Sequence, residues 1–177
     1  MNPTPLQASS PSTLRRGPDR RQWLRHALGG LTATALCGAV GARAAAPALP
    51  EVEVFRSASC GCCGAWVDHL RQAGFPVKET LVGDTTAARQ RLGMPDRFGS
   101  CHTATVAGYV LEGHVPAPEV RRLLALRPRA LGLAVPGMPP SAPGMDVPGR
   151  HDPYEVLLVE RSGAAQVFAR HPVAAKG

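Results

Sequence analysis

The chain reads Val52-Glu53-Val54-Phe55-Arg56-Ser57-Ala58-Ser59-Cys60-Gly61-Cys62-Cys63-Gly64 where a short apolar run meets three closely spaced thiols. The alternation of apolar and polar residues up to Phe55 predicts a strand. Behind the cysteines, Trp66 and Leu70 recur at helical spacing and predict a helix, so the thiols lie where a strand turns into a helix. The positive end of the helix dipole favours thiolate over thiol there, and thiolate is the form that binds soft metals and attacks disulfides.

The rest of the chain alternates strands and helices and then forms a hairpin. Gly74 and Gly93 end the first two predicted helices, and Ser162-Gly163 forms the hairpin turn. This order predicts an α/β fold, specifically a thioredoxin-like sandwich in which a βαβα unit precedes further strands and one more helix. Residues 127–153 are rich in Pro and Gly and are predicted to form a long loop. The predicted strands are residues 52–55, 77–81, 103–106, 109–111, 155–160 and 166–169, and the predicted helices are residues 64–73, 85–92 and 117–126.

Residues 1–44 have the features of an export leader. Arg20-Arg21 precedes an aromatic residue and Leu24, a pattern that resembles a twin-arginine signal, and Ala42-Arg43-Ala44 supplies the small residues that a signal peptidase requires. The apolar run between them is too short and too small-sided to span a bilayer. We therefore predict a cleavable signal peptide of the twin-arginine type, export to the periplasm and no stable membrane span in the mature form.

This leader also determines the predicted domain organisation and the charge balance. A linker of residues 45–50 follows the cleavage site, residues 51–170 form one thioredoxin-like metal-binding domain, and residues 171–177 form a frayed tail. Of the formal charge of +7, only about +2 remains after the leader, because six of the 20 Lys and Arg residues and one of the 13 acidic residues precede Ala45. Aromatic residues for base stacking are scarce as well, so we predict no nucleic-acid partner.

Four cysteines remain after removal of the leader: Cys60, Cys62, Cys63 and Cys101. An oxidising compartment would convert spare thiols to disulfides, but the adjacent Cys62 and Cys63 could pair only with strain. In a thioredoxin-like sheet, the strand that follows Cys101 runs beside the first strand, and neighbouring strands lie about 4.8 Å apart. We therefore expect the two groups of thiols to converge, provided that they stand at the same end of the sheet.

Thiolates and imidazoles form a soft donor set that suits Cu(I), Zn(II) or an iron–sulfur cluster. A structural zinc site normally uses two separated Cys-x-x-Cys pairs, whereas the crowding of Cys62 and Cys63 favours thiolates that bridge several ions. Cu(I) accepts two or three sulfur ligands, so copper is the predicted metal, and zinc or an iron–sulfur cluster is less favoured. Further candidate donors are His102, His114 and, more weakly, Met138 and Met145.

The same cysteines also allow a redox interpretation. Cys60 and Cys63 have Cys-x-x-Cys spacing at a strand-to-helix turn, which is typical of a thiol–disulfide oxidoreductase. Cys62 lies between them, however, and Cys101-His102-Thr103 occupies the place before the third strand where a thioredoxin would keep a cis-Pro. The metal hypothesis is therefore favoured, and the oxidoreductase is the alternative.

Four motifs occur in combination: Ser59-Cys60-Gly61-Cys62-Cys63-Gly64 with Trp66, Ser100-Cys101-His102-Thr103-Ala104, Gly108 to Pro116, and Gly132 to Pro139. Together they resemble the CopG-type family of small periplasmic metal-binding proteins, long classed as a domain of unknown function. The resemblance covers about residues 52–169. It implies a thioredoxin-like fold, export, and copper bound in a cysteine-bridged multinuclear cluster. The thiolate ligands implied by motif position are Cys60, Cys62, Cys63 and Cys101, and His102 and His114 fall in the other motifs.

These observations predict an exported protein that sequesters Cu(I) in copper tolerance. Its predicted partners are copper ions and other periplasmic copper-handling proteins. Whether the metal also cycles between Cu(I) and Cu(II) is left open, and no catalytic turnover follows from the resemblance.

Overall fold

The computed structural model describes residues 48–171, in which a seven-stranded sheet carries three α-helices. The predicted leader with Arg20-Arg21, the first half of the predicted linker and residues 172–177 lie outside the described residues. The strands are β1 Val52–Arg56, β2 Val77–Leu81, β3 His102–Val106, β4 Tyr109–Glu112, β5 Gly132–Ala134, β6 Tyr154–Val159 and β7 Ala165–His171. The helices are α1 Gly61–Gln72, α2 Thr85–Arg91 and α3 Ala117–Leu126, and a short 3-10 helix covers Asp96–Phe98.

The sheet is mixed, which confirms the predicted α/β class. Its strand order is β2-β1-β3-β4-β5-β6-β7. Strand β1 lies parallel to β2 and antiparallel to β3, and β4 lies parallel to β5. The β3–β4, β5–β6 and β6–β7 pairs are antiparallel. As a result, β1 and β3 are direct neighbours, and the loop after β1 meets the loop before β3 at the same end of the sheet.

The core is formed where the apolar stripes of the helices meet the sheet. Trp66, Val67 and Leu70 of α1 are completely buried, as the helical spacing predicted. Val120 and Leu123 of α3 are completely buried as well. Within residues 48–171, no helix is long and apolar enough to cross a membrane.

Helix α1 begins at Gly61, three residues before its predicted start. Cys60 has extended backbone angles, φ −83° and ψ 96°, and is the N-cap residue of the helix, although its side chain makes no capping hydrogen bond. Cys62 and Cys63 therefore lie in the first turn of α1 and not in the preceding turn. The prediction missed this because Gly61 and Gly64 are poor helix formers, and tertiary packing overrides their propensity.

Two further differences concern the second half of the chain. Strand β5 lies inside the segment predicted to be a loop, and its three residues are too few to show a period. Gly132 lies so close to β4 that an added Cβ would overlap the carbonyl group of Val110. His171, predicted to begin a frayed tail, is the last residue of β7 and pairs with Tyr154.

Candidate metal centre

The four cysteines converge at one end of the sheet. Cys60, Cys62 and Cys63 stand at the start of α1, and Cys101 directly precedes β3. Their Sγ atoms lie within 4.8 Å of one another, and the Sγ atoms of Cys62 and Cys101 are 4.0 Å apart. The predicted convergence is therefore confirmed.

A disulfide joins Cys60 to Cys63 in this structure, whereas Cys62 and Cys101 are free thiols. The Sγ atom of Cys62 lies 3.5 Å from that of Cys60. In this form, two of the four sulfurs are held in a covalent bond and are not available as thiolate ligands. Two-electron reduction of the disulfide would restore all four thiols at the same place.

A second group of donors adjoins the first and shares Cys101 with it. The donor atoms of Cys101, His102 and His114 lie within 4.8 Å of one another. The Sγ atom of Cys101 is 3.3 Å from Nδ1 of His102 and 3.1 Å from Nε2 of His114. Cys101 therefore lies between a sulfur-rich group and an imidazole-rich group.

The orientation of His114 is fixed from the side opposite to Cys101. Its Nδ1 atom donates a hydrogen bond to the carbonyl oxygen of Pro143, at 2.7 Å. This contact assigns the proton of the neutral ring to Nδ1 and leaves the lone pair of Nε2 directed at Cys101. Burial lowers the pKa of His114 and favours this neutral form. A neutral imidazole whose second nitrogen is held by a carbonyl is the usual form of a metal-binding histidine.

His102 is completely buried beside the indole of Trp66. The two ring centroids are 4.3 Å apart, and the rings of His102 and His114 are arranged edge to face at a centroid distance of 5.0 Å. Burial, together with the neighbouring His114, lowers the pKa of His102 to about 3, so the imidazole is neutral. Its Nδ1 atom faces the Sγ atom of Cys101, whereas its buried Nε2 atom has no hydrogen-bond partner among residues 48–171. Nδ1 is therefore the ring nitrogen that could bind a soft cation together with Cys101.

The free thiol of Cys101 is protonated in the metal-free site. Burial, and then the nearby Cys62 thiol, raise the pKa of Cys101 to about 12. A cation reverses this balance, because metal coordination deprotonates a thiol outright. Metal binding at this site would therefore release protons.

The loop of residues 135–153 covers the site, and it is held there by hydrogen bonds at Gly137 and by close packing at Gly144. The amide of Gly137 donates to the carbonyl oxygen of Gly99 at 3.0 Å, and the hydroxyl of Ser100 donates to the carbonyl oxygen of Gly137. On the other side, Gly144 adopts a φ of +83° against the first turn of α1. An added Cβ there would lie 2.5 Å from the amide nitrogen of Trp66, so only glycine fits.

The two candidate methionines both lie on this loop. Met138 follows the anchored Gly137, and 55% of its surface is exposed. Met145 follows the anchored Gly144 and is half-buried. His69, by contrast, has a structural role, because its Nε2 accepts a hydrogen bond from the backbone amide of Ala117 at 3.0 Å.

A buried carboxylate beside the site, that of Glu112, was not among the residues predicted from the sequence. Glu112 is completely buried at the end of β4 and contacts Arg89, Ser100 and Thr103. The sequence offered one signal, because Glu112 continues the apolar run Tyr109-Val110-Leu111 of a predicted strand. A carboxylate is almost never fully buried unless it is paired, so its place in that run indicates a buried partner.

Comparison with known proteins gives two findings from sequence and structure. The profile of a family described as "Protein of unknown function, DUF411" matches residues 98–145. Two solved structures, named "Copper resistance protein copG- Form 2" and "Copper resistance protein copG- Form 1", each share 44% sequence identity with this chain. Both matches cover 70% of this chain, and they cover 99% and 98% of the other chains, with TM-scores of 0.67 and 0.66. No curated protein matches the chain.

Proposed function

Because this chain belongs to the CopG-type family, we propose that it is a copper-binding protein of copper resistance. The observation that carries the proposal is the pair of donor groups that share Cys101. Thiolate sulfur and neutral imidazole are the ligands that Cu(I) prefers. The proposed ligands are Cys60, Cys62, Cys63, Cys101, His102 and His114.

The proposed site holds more than one Cu(I) ion. Four sulfurs within 4.8 Å of one another are too crowded for four separate ligands of separate ions, and bridging thiolates relieve that crowding. Full occupancy requires the reduced form, in which Cys60 and Cys63 are thiols. Met138 and Met145 are weaker candidates: as thioethers on the covering loop, they would bind an ion at the edge of the site.

The disulfide supports a second candidate function, that of a thiol–disulfide oxidoreductase. Cys60 and Cys63 would lose two electrons and two protons when they form the disulfide. A disulfide substrate would accept these as two thiols, or two Cu(II) ions would each accept one electron and become Cu(I) while the two protons pass to water. With Cu(II) as the acceptor, oxidation of Cys60 and Cys63 would be coupled to cycling of copper between Cu(I) and Cu(II).

The proposal extends to the fold family and the location. The order β2-β1-β3-β4, with β1 parallel to β2 and antiparallel to β3, supports a thioredoxin-like core to which β5, β6 and β7 are added.

Residues 1–44 would direct the protein through the twin-arginine route to the periplasm. Other copper-handling proteins of the periplasm would be its partners. Reporter fusions in a strain that lacks this translocase test the route, and unchanged export would contradict it.

The proposed function is tested by metal analysis of the reduced protein. We expect anaerobic, reduced protein to retain more than one copper per chain after removal of free Cu(I). A variant with all four cysteines changed to Ser is the matched control and should retain much less. A stoichiometry below one, or equal retention by the control, would contradict the proposal. Elemental analysis of protein from its own compartment separates copper from zinc or iron.

The oxidoreductase is tested separately with metal-free protein. Reduction of insulin or glutathione disulfide should depend on Cys63, and Cys63→Ser should abolish turnover if this candidate is correct. Absence of turnover in the unaltered protein would contradict the oxidoreductase function.

A further inference from the structure

We infer that Glu112 is the positioning residue for Cys101 and His102, an inference that rests on the proposed copper site. Glu112 lies on β4, directly opposite Thr103 of β3. Its side chain is completely buried. Each of its carboxylate oxygens accepts a hydrogen bond from one of the two residues that flank the Cys101-His102 pair.

The two hydrogen bonds hold the pair at both ends. Oε1 of Glu112 accepts from the backbone amide of Ser100 at 2.7 Å, and Oε2 accepts from the hydroxyl of Thr103 at 2.6 Å. Ser100 directly precedes Cys101, and Thr103 directly follows His102. One carboxylate therefore holds the residue on each side of the two proposed ligands, Ser100 through its backbone amide and Thr103 through its side-chain hydroxyl. Hydrogen bonds to a charged acceptor are about twice as strong as neutral ones.

The charge of Glu112 is balanced by a guanidinium that is itself held in place. Nη1 of Arg89 lies 3.4 Å from Oε1 of Glu112, and only 9% of the Arg89 side chain is exposed. Asp96 and Thr86 accept further hydrogen bonds from Arg89. Gly99 packs on this guanidinium so closely that an added Cβ would lie 2.9 Å from Cζ of Arg89. The segment before Cys101 is thus shaped around a buried ion pair.

A carboxylate in this position serves the site better than an apolar side chain would. Cys101 belongs to both donor groups, so any displacement of its Sγ atom affects both. Metal affinity depends on such supporting contacts, and loss of one typically lowers it about 10- to 100-fold. None of the hydrogen bonds of Glu112 within residues 48–171 goes to a thiol or an imidazole, and it acts on Cys101 and His102 through the flanking Ser100 and Thr103.

The test uses Thr103→Val and Glu112→Gln, which keep side-chain shape while they remove one contact or the charge. Thr80→Val is the matched control, because the hydroxyl of Thr80 donates to Glu53 at 3.1 Å in the β1–β2 pair. We expect both test variants to fold and to bind Cu(I) about 10- to 100-fold more weakly than the unaltered protein. The control should bind as the unaltered protein does.

A second measurement uses metal-free protein, so that it does not depend on copper binding. In reduced protein we expect alkylation of Cys101 to become about tenfold faster in Thr103→Val, while the rate at Cys62 stays unchanged. Equal acceleration at both thiols would show general loosening and would overturn the positioning role, as would unchanged rates at both. If the alkylation result holds but the unaltered protein binds no copper, the proposed function fails and the positioning role remains.

Discussion

The two sides of the site are built in different ways. On the α1 side, Cys60 is an N-cap residue without a side-chain capping bond, and its segment includes exposed residues such as Gly61. On the β3 side, His102 and His114 are completely buried, and hydrogen bonds or ring contacts hold both rings. The α1 side thus holds the pair that forms a disulfide, Cys60 and the buried Cys63, whereas the β3 side holds its donors in place through contacts with the rest of the fold.

The largest effect should come from Cys101→Ser, because Cys101 belongs to both donor groups. We expect the Cu(I) affinity to fall by more than about 100-fold, beyond the loss typical of a supporting contact. Cys60→Ser leaves the Cys101, His102 and His114 group intact and should lower the affinity less. Competition with a Cu(I) chelator measures both variants, and equal losses would contradict the shared role of Cys101.

The next largest effect is expected from Gly144→Ala, which tests how the covering loop packs on α1. The positive φ and the contact with the Trp66 amide should together destabilise the fold by about 3 kcal/mol. Gly149→Ala is the matched control, since Gly149 has a φ of +74° but open space around its Cα. Chemical unfolding compares the two. If both variants lose the same stability, the loop does not pack on α1 as described.

A smaller effect is expected from His102→Leu, which separates the contribution of His102 to stability from its contribution to Cu(I) binding. Removal of the unpaired Nε2 should leave the free energy of unfolding within about 1 kcal/mol of its original value. The Cu(I) affinity should nevertheless fall at least about tenfold. Thermal unfolding and chelator competition are measured on the same samples. Unchanged affinity would exclude His102 as a ligand.

The smallest effect is expected from Met138→Leu. Met138 is exposed on the covering loop, so if its thioether receives incoming ions, its loss should slow Cu(I) uptake while the equilibrium affinity changes by less than about tenfold. Leu126→Ala is a control at an equally exposed apolar position on α3. Stopped-flow mixing with a Cu(I) complex gives the rates. Identical rates for Met138→Leu and the unaltered protein would remove Met138 from the site.

Much of this organisation could be predicted from the sequence, because local patterns determine it. Residues 77–81 and 117–126 have the predicted bounds, since each is a short periodic run between Gly or Pro signals. The neighbouring position of β1 and β3, and with it the meeting of the thiols, followed from the expected sheet order.

Long-range contacts account for what the sequence did not reveal. Strand β5 exists because β4 and β6 pair with it on both sides, and its three residues carry no pattern of their own. The buried role of Glu112 depends on Arg89, which is distant in the chain. The hydrogen bond from His114 to Pro143 likewise joins a strand end to a loop without a period.

The shared position of Cys101 is tested most directly by the copper capacity of one protein in two redox states. Anaerobic titration with Cu(I) is performed on the fully reduced chain and on the chain with the Cys60–Cys63 disulfide. We predict more than one tightly bound ion in the reduced chain and fewer in the disulfide form, in which Cys62, Cys101, His102 and His114 remain available. Equal capacity in the two states would contradict a site built from two donor groups that meet at Cys101.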